Sequence, residues 1–400
     1  MFTCVGTGQN IKDSWGWLSS SSLRPMQLPV RLSLLLHPSV STGILLATGL
    51  GTLVFVSTPF MFPLIAEEYE IGLGFAAFIG TFQLGGFVLG SWGAGRRLSP
   101  SRGIFIAAVA LAVVANLLSA LLPIYPVLIL LRFLSGISMG VISWFGWVQV
   151  FGDESRMGEI AVIGPIVGIV TSPIIALVAN SGGASGVFVM LGLVAILPLL
   201  FARNAGVEGA SPPPTERHKA VLVARVLLAS LGLFTMGGSA VFMFAVVIGK
   251  DRLGLSAGEV AWVFSFNAAC SAISAGHTGR RGIPGPWLAT SGFAAIALAT
   301  ASTTWVFALA AGVWGFAFWM GIPGVFKILA ERSEYPQERA GDAQAVMAVG
   351  RVFGPLAGGI LLQTTNTTLL GFLGGGLMIF VGVLVFSIRN LTDPQVVDSS

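Results

Sequence analysis

Two arginines embedded in apolar runs are the residues of this chain best suited to chemistry. Arg132 interrupts ILLRFLSGISMGV, and Arg351 lies about ten residues inside a second apolar run that starts near 341. A guanidinium stays charged and offers five donors in a fixed fork, so it binds anions and carbonyls but cannot relay protons. At the centre of a bilayer a cation costs about 2.5–3.5 kcal/mol, which calls for a partner, a task or an escape to the surface. Arg132 stands six or seven residues from the end of its run and has two readings, a snorkelling side chain or a functional one. Arg351 is deeper and is a candidate to face an internal pathway or a helix-end carbonyl. Lys327, within a turn of a run's end, reads as an interfacial anchor.

Gln83 and Asn267 each sit about ten residues into an apolar run. A side-chain amide costs less than a charge in lipid and either bonds neighbouring helices together or lines a site near the midplane. Trp144, Trp147, Trp314 and Trp319 add aromatic surface, with Trp144 and Trp147 on one helix face. Such walls suit a hydrophobic or amphipathic ligand, although tryptophan also collects at membrane interfaces, the better reading for Trp147.

What is missing narrows the chemistry further. All 17 acidic residues fall at run ends or in loops, the deepest being Glu67, Glu68, Asp153, Glu159, Glu259 and Asp342. No mid-run carboxylate is present to relay a proton. Three couplings stay open: a rim acid such as Glu67 or Asp342 exposed in one state, protonation of the ligand itself, or passive diffusion. Two buried cations without a mid-run acid leave an electropositive interior, so an anionic organic ligand is one expectation. His37, His218 and His277 are far apart, Cys4 and Cys270 have no CxxC neighbour, and there is no HExxH or Ser/His/Asp set. No metal, no cofactor and no enzymatic activity are expected.

The elements that must position these residues are membrane helices. Hydrophobic residues make up 54%, charged residues 10%, and mean hydropathy is +0.88, against about 25% charge in an ordinary globular domain. Twelve runs are long enough to cross a bilayer: 42–64, 73–94, 103–122, 126–150, 159–180, 185–203, 221–248, 257–277, 285–303, 305–329, 341–363 and 367–388. The weakest division is Ala301-Ser302-Thr303-Thr304, between the ninth and tenth. With the amino terminus inside, 16 of the 21 lysines and arginines fall on the cytoplasmic side, while Lys250 and Arg252 lie opposite and Arg132, Lys327 and Arg351 lie within runs. Cytoplasmic loops retain positive charge, so both termini are expected in the cytoplasm. The net charge of +4 then reflects topology, and a nucleic-acid partner is not expected.

The expected organisation is a polar tail over 1–40, a six-helix bundle over 41–203, a cytoplasmic linker over 204–220, a second bundle over 221–389 and a tail over 390–400. The tail has no basic start followed by an apolar core, as a signal peptide would, and Met26 is an alternative start that spares every run. The linker, RNAGVEGASPPPTERHK, has three consecutive prolines that forbid a continuous helix.

The two halves repeat each other. Residues 74–97 align without a gap on 258–281, setting Gln83 on Asn267 and Gly95-Arg96-Arg97 on Gly279-Arg280-Arg281. Gly164-Pro165-Ile-Val-Gly168 returns as Gly354-Pro355-Leu-Ala-Gly358, 190 residues on, against 184 for the arginine turns. Gly136 and Gly140 follow Arg132 at four-residue steps, a flat face that lets helices approach closely. Proline within a run bends a helix, and Pro165 is a candidate rocking joint.

These patterns resemble the major facilitator superfamily of secondary transporters, in particular its drug and organic-solute efflux branch. The resemblance covers about residues 40–390. It rests on Pro63-Leu64-Ile65-Ala66 before an acidic rim, the RxxxGxxxG pattern from Arg132 to Gly140, the two GPxxG patterns of antiporters, and the loop that closes Gly90 to Arg97. That loop departs from the family, because Ala94 occupies the slot of an aspartate that locks helix ends. The resemblance implies an all-α membrane protein of twelve helices in two pseudo-symmetric six-helix bundles, alternating access, and a central cavity lined by spans one, four, seven and ten. It further implies efflux of a small organic solute from a monomer in a plasma membrane of bacterial inner-membrane type, possible coupling to a proton gradient, and no partner beyond lipid and solute. A passive facilitator or uptake carrier of an organic anion, and a receptor or scaffold that does not transport, are the alternatives.

Overall fold

The structure is a computed structural model that describes residues 40–150, 154–204, 218–275, 283–333, 336–364 and 366–390. The tail with Met26, nearly all of the proline-rich linker, Asp153, the second arginine turn (Gly279, Arg280, Arg281) and the carboxyl-terminal tail lie outside the described residues. Every regular element among the described residues is helical. In chain order they are α1 (Thr42–Glu68), α2 (Leu73–Ala76), α3 (Phe78–Arg97), α4 (Arg102–Ser119), α5 (Tyr125–Val150), α6 (Glu154–Val194) and α7 (Leu197–Leu200). A short 3-10 turn, Ala202–Asn204, closes this half. The second half comprises α8 (Leu222–Phe242), α9 (Ala245–Leu253), α10 (Ala257–Ala275), α11 (Pro284–Thr300), α12 (Thr304–Glu331), α13 (Pro336–Thr364) and α14 (Thr367–Asn390).

These elements make twelve crossings. Short α2 leads into α3, and α9 extends α8. The long α6 breaks at Gly183, whose φ of 57° and ψ of −154° no side-chain-bearing residue adopts readily, and the break falls between the runs 159–180 and 185–203, which become spans five and six. Nine described segments meet a strict length and hydropathy standard on their own. The shortfall has plain causes: both limbs of α6 merge into one segment, α10 is diluted by Glu259, Asn267 and its serines, and α11 has only 17 residues. The weak division after the ninth run is real, because Thr303 caps α12 by accepting from the Val306 N–H at 3.4 Å.

Glycine decides how the helices meet. A Cβ at Gly86, Gly90, Gly136 or Gly140 would overlap a carbonyl oxygen of the facing helix, so α3 and α5 touch backbone to backbone. In the second half Gly315 approaches the Asn267 carbonyl as Gly136 approaches that of Gln83. The repeat read in the sequence is thus a repeat of packing. Pro59, Pro63, Pro165, Pro323 and Pro355 all lie inside helices, and the sharp break in α6 is at Gly183, between its two limbs.

Candidate functional site

Arg132 does not snorkel. Its side chain is 1% exposed and reaches across to α4, where Nη1 donates to Asn116 Oδ1 at 2.9 Å and Nη2 donates to the Ala115 carbonyl at 3.0 Å and to Ser119 Oγ at 2.6 Å. Asn116 and Ser119 are one helical turn apart, so one fork spans both. The ring of Phe188, from the second limb of α6, lies 4.4 Å from the guanidinium carbon. Only Nε lacks an acceptor. All three acceptors are neutral, so Arg132 pairs with neither Asp342 nor any other described carboxylate. Charged hydrogen bonds of this kind are worth about 1.5–3 kcal/mol each.

Beside Arg132 lies a small hollow bounded by Ser57, Thr58, Met61, Ile79, Gly80, Gln83, Phe188 and Leu191, with room for about one water molecule. It sits within the first half, between spans one, two, four and six. The expected cavity between the halves, lined by spans one, four, seven and ten, is therefore not the hollow found beside Arg132.

Gln83 and Asn267 hold equivalent positions with different partners. The Asn267 amide donates to the Ala311 carbonyl at 2.7 Å and ties α10 to α12. Ala311 precedes Gly315 by four residues, as Arg132 precedes Gly136, so the repeat puts alanine where the first half has its buried arginine. The Gln83 amide has no hydrogen bond among the described residues and borders the hollow.

Arg351 occupies the middle of α13. Gly350, Gly354 and Gly358 press against α8, while Gly359 meets Gly74 and Ala77, and Gln363 meets Gly72 and Gly74, in the other half. Val349, Phe353 and Ile360 form the exposed face, at 41%, 51% and 55%. At 100° per residue Arg351 points opposite that face, between the surfaces turned to α8 and to α3. It is half-buried and has no hydrogen bond or ion pair among the described residues. The two arginines therefore do not pool their charge: Arg132 is committed inside one half, and Arg351 is uncommitted where the halves meet. Lys327 is exposed and lies 3.8 Å from Glu331, as an anchor would.

The halves join through aromatic rings in the portion of the bundle away from Gly95-Arg96-Arg97, which form the last helical turn of α3 rather than a loop. Phe242 stacks on Phe264 at 5.0 Å and on Phe55 at 6.5 Å, Phe60 meets Phe264 edge-on at 5.5 Å, and Phe62 meets Phe244 at 5.3 Å. Trp314, buried to 5% exposure, abuts Phe242 at 5.8 Å, so it belongs to this cluster. Ser265 Oγ donates to the Ile169 carbonyl at 2.8 Å beside it. Trp144 is elsewhere: it packs against Gly95, where an added Cβ would lie 3.5 Å from its ring. Arg96 stacks on Trp92 at 4.2 Å, and neither Arg96 nor Arg97 has an ion pair among the described residues, consistent with the missing aspartate at Ala94.

The GPxxG glycines serve contacts. Gly164 faces Thr52, Gly168 lies against Ala268 across the halves with an added Cβ 3.2 Å away, and Gly354 fits against Ser239. Beside each of the latter two motifs a buried proline, Pro165 or Pro355, continues the helix. At the far rim Tyr69 donates to the Pro123 carbonyl at 2.6 Å, and Tyr125 donates to the Phe75 carbonyl. Burial, and then the neighbouring Glu68 carboxylate, push the Tyr69 phenol up, which keeps it a donor. Asp342 pairs with buried Arg339 at 3.1 Å, so this rim acid is engaged in the described state.

Sequence reasoning passed over Asn116, Ser119 and the phenylalanine cluster. Asn116-x-x-Ser119 in an apolar run was a visible signal for an arginine partner, whereas phenylalanines in a membrane chain carry no signal of their own.

The sequence matches the model of the Major Facilitator Superfamily over residues 44–349. The chain belongs to that superfamily and is an integral membrane transporter. Solved structures share its fold. The human organic anion transporter MFSD10 (TETRAN) aligns at 15% identity over 86% of this chain and 98% of its own, with a TM-score of 0.61. PepTSo, of the POT family, aligns at 11% identity over 87% and 97%, with a TM-score of 0.69. A variant of the nucleoside transporter NupG aligns at 13% over 86% and 98%, with a TM-score of 0.62. A comparison with curated proteins gives no match.

Proposed function

We propose that the protein is a secondary transporter that exports a small amphipathic organic anion by alternating access, with Arg351 as the solute's charge partner. The observation that carries this reading is the uncommitted guanidinium at mid-helix, turned away from lipid between the two halves. A cation held there without a counter-charge is expensive, and an anionic solute supplies the charge only while it is bound. The cluster of Trp314, Phe242 and Phe264, closed on itself in the described state, would supply aromatic surface for the apolar part of the same solute once the halves part. Fold similarity to a human organic anion transporter is compatible with this but is too distant to assign a ligand.

In this reading the arginine-rich end is cytoplasmic, both termini lie there, and the protein works as a monomer in a bacterial inner membrane. The described state is closed at the opposite, aromatic end. Gln83, Asn267 and Trp144 are then packing and positioning residues, as are the motif glycines. Proton coupling runs through a rim acid such as Asp342 or through the solute. The lack of a mid-span carboxylate among the described helices favours passive facilitation as the second reading.

Flux in proteoliposomes tests the proposal. Labelled aromatic carboxylates are expected to move through the parent, and Arg351→Gln is expected to slow them about tenfold or more, the worth of one charge-assisted bond. Arg351→Lys should retain part of the rate. Equal flux in parent and Arg351→Gln would refute the assignment, and a response to an imposed pH gradient separates coupled from passive transport.

A further inference from the structure

We propose that the hollow beside Arg132 is a binding site for one small monovalent anion, of the size and charge of chloride, which acts as the arginine's resident counter-ion. The site lies inside the first half and is separate from Arg351 and the solute path.

Three features converge on it. Arg132 is 1% exposed, and its hydrogen bonds go to Asn116, the Ala115 carbonyl and Ser119, all neutral. Neutral acceptors offset only part of the cost of burying a full charge, and the remainder favours an opposite charge nearby. The donors are also in excess. Nε of Arg132 has no acceptor and the Gln83 amide on the same hollow has no hydrogen bond among the described residues, whereas the Ser57 and Thr58 hydroxyls already donate to the Val54 carbonyl, at 2.8 and 3.0 Å, and add no donor. A buried site with unused donors and no carboxylate accepts an anion rather than a cation.

The walls supply the third feature. Phe188 covers the guanidinium at 4.4 Å, and Met61 and Leu191 complete an apolar lining that lowers the local dielectric and strengthens any ion pair formed there. Room for about one water molecule excludes an organic carboxylate. A halide is somewhat larger than water, and the untethered Gln83 side chain can swing to admit it. The second half, with Ala311 in the equivalent place, has no cation to neutralise and its amide is bonded to backbone. The site is therefore a property of one copy of the repeat.

The test is the unfolding midpoint of the purified full-length protein in sodium chloride, sodium bromide and sodium gluconate at equal ionic strength. Chloride and bromide are expected to raise the parent's midpoint saturably, by about 2–4 °C, over gluconate, which is too large to enter. Gln83→Glu places a fixed carboxylate on the hollow and is expected to abolish the halide dependence while keeping the protein as stable in gluconate as the parent is in chloride. Bromide-soaked crystals of the parent should give an anomalous peak beside Arg132. A midpoint indifferent to the anion would mean that water alone fills the hollow and would overturn the proposal. Undiminished halide dependence in Gln83→Glu, or a bromide peak only elsewhere, would overturn it as well. None of these readouts depends on transport, so they stand apart from the anion-export reading.

Discussion

Arg132 and Arg351 have the same side chain and opposite situations, and the difference lies in their neighbours. Arg132 finds Asn116 and Ser119 on an adjacent helix, and its fork is nearly satisfied. Its depth was legible because an arginine in an apolar run is unmistakable, and the RxxxGxxxG spacing placed it on a packed face. Its acceptors were legible as polar residues but not as partners, since which face of α4 turns to α5 depends on backbone contacts that residue types alone do not specify. Replacing Asn116 by leucine removes an acceptor from a buried cation and should destabilise the protein by about 1.5–3 kcal/mol, seen as a lower unfolding midpoint. Ser119→Ala should follow in the same direction. If Asn116→Leu leaves the midpoint unchanged, the bond carries no net stability.

The helices show why glycine spacing was informative and proline was less so. Gly136 and Gly140 read as a packing face, and the structure puts both against carbonyls of α3. Gly93, on the same α3, has open space around its Cα. Alanine at Gly136 has to push two backbones apart and should cost more than about 2 kcal/mol, in the range of overpacked cores, whereas Gly93→Ala should be neutral or stabilising by up to about 1 kcal/mol because it favours the helix. Unfolding midpoints and the monodisperse fraction on size exclusion distinguish the two. Pro165 lies inside the first limb of α6, whereas the chain reverses between spans five and six at Gly183, because a proline inside a helix loses one hydrogen bond but a positive φ turns the chain outright. Span borders were legible from hydropathy even at the faint break before Thr303.

For the whole molecule, the duplicated halves were legible from the alignment of Gln83 on Asn267 and from two GPxxG patterns, because both copies make equivalent contacts. How the halves close on each other was not, since Phe55, Phe60, Phe242 and Phe264 are common membrane residues until the fold stacks them. Transport by rocking requires that this aromatic end, now closed, opens during each cycle. Ala77 and Gly359 meet there from opposite halves, with the Ala77 Cβ 3.3 Å from where a side chain on Gly359 would begin, close to disulfide reach. The most direct measurement is solute flux by an Ala77→Cys, Gly359→Cys protein in which Cys4 and Cys270 are replaced by serine, oxidised and then reduced. Flux should stop when the cross-link forms and return when it is reduced. Full flux through protein shown to be quantitatively cross-linked would contradict alternating access through this end.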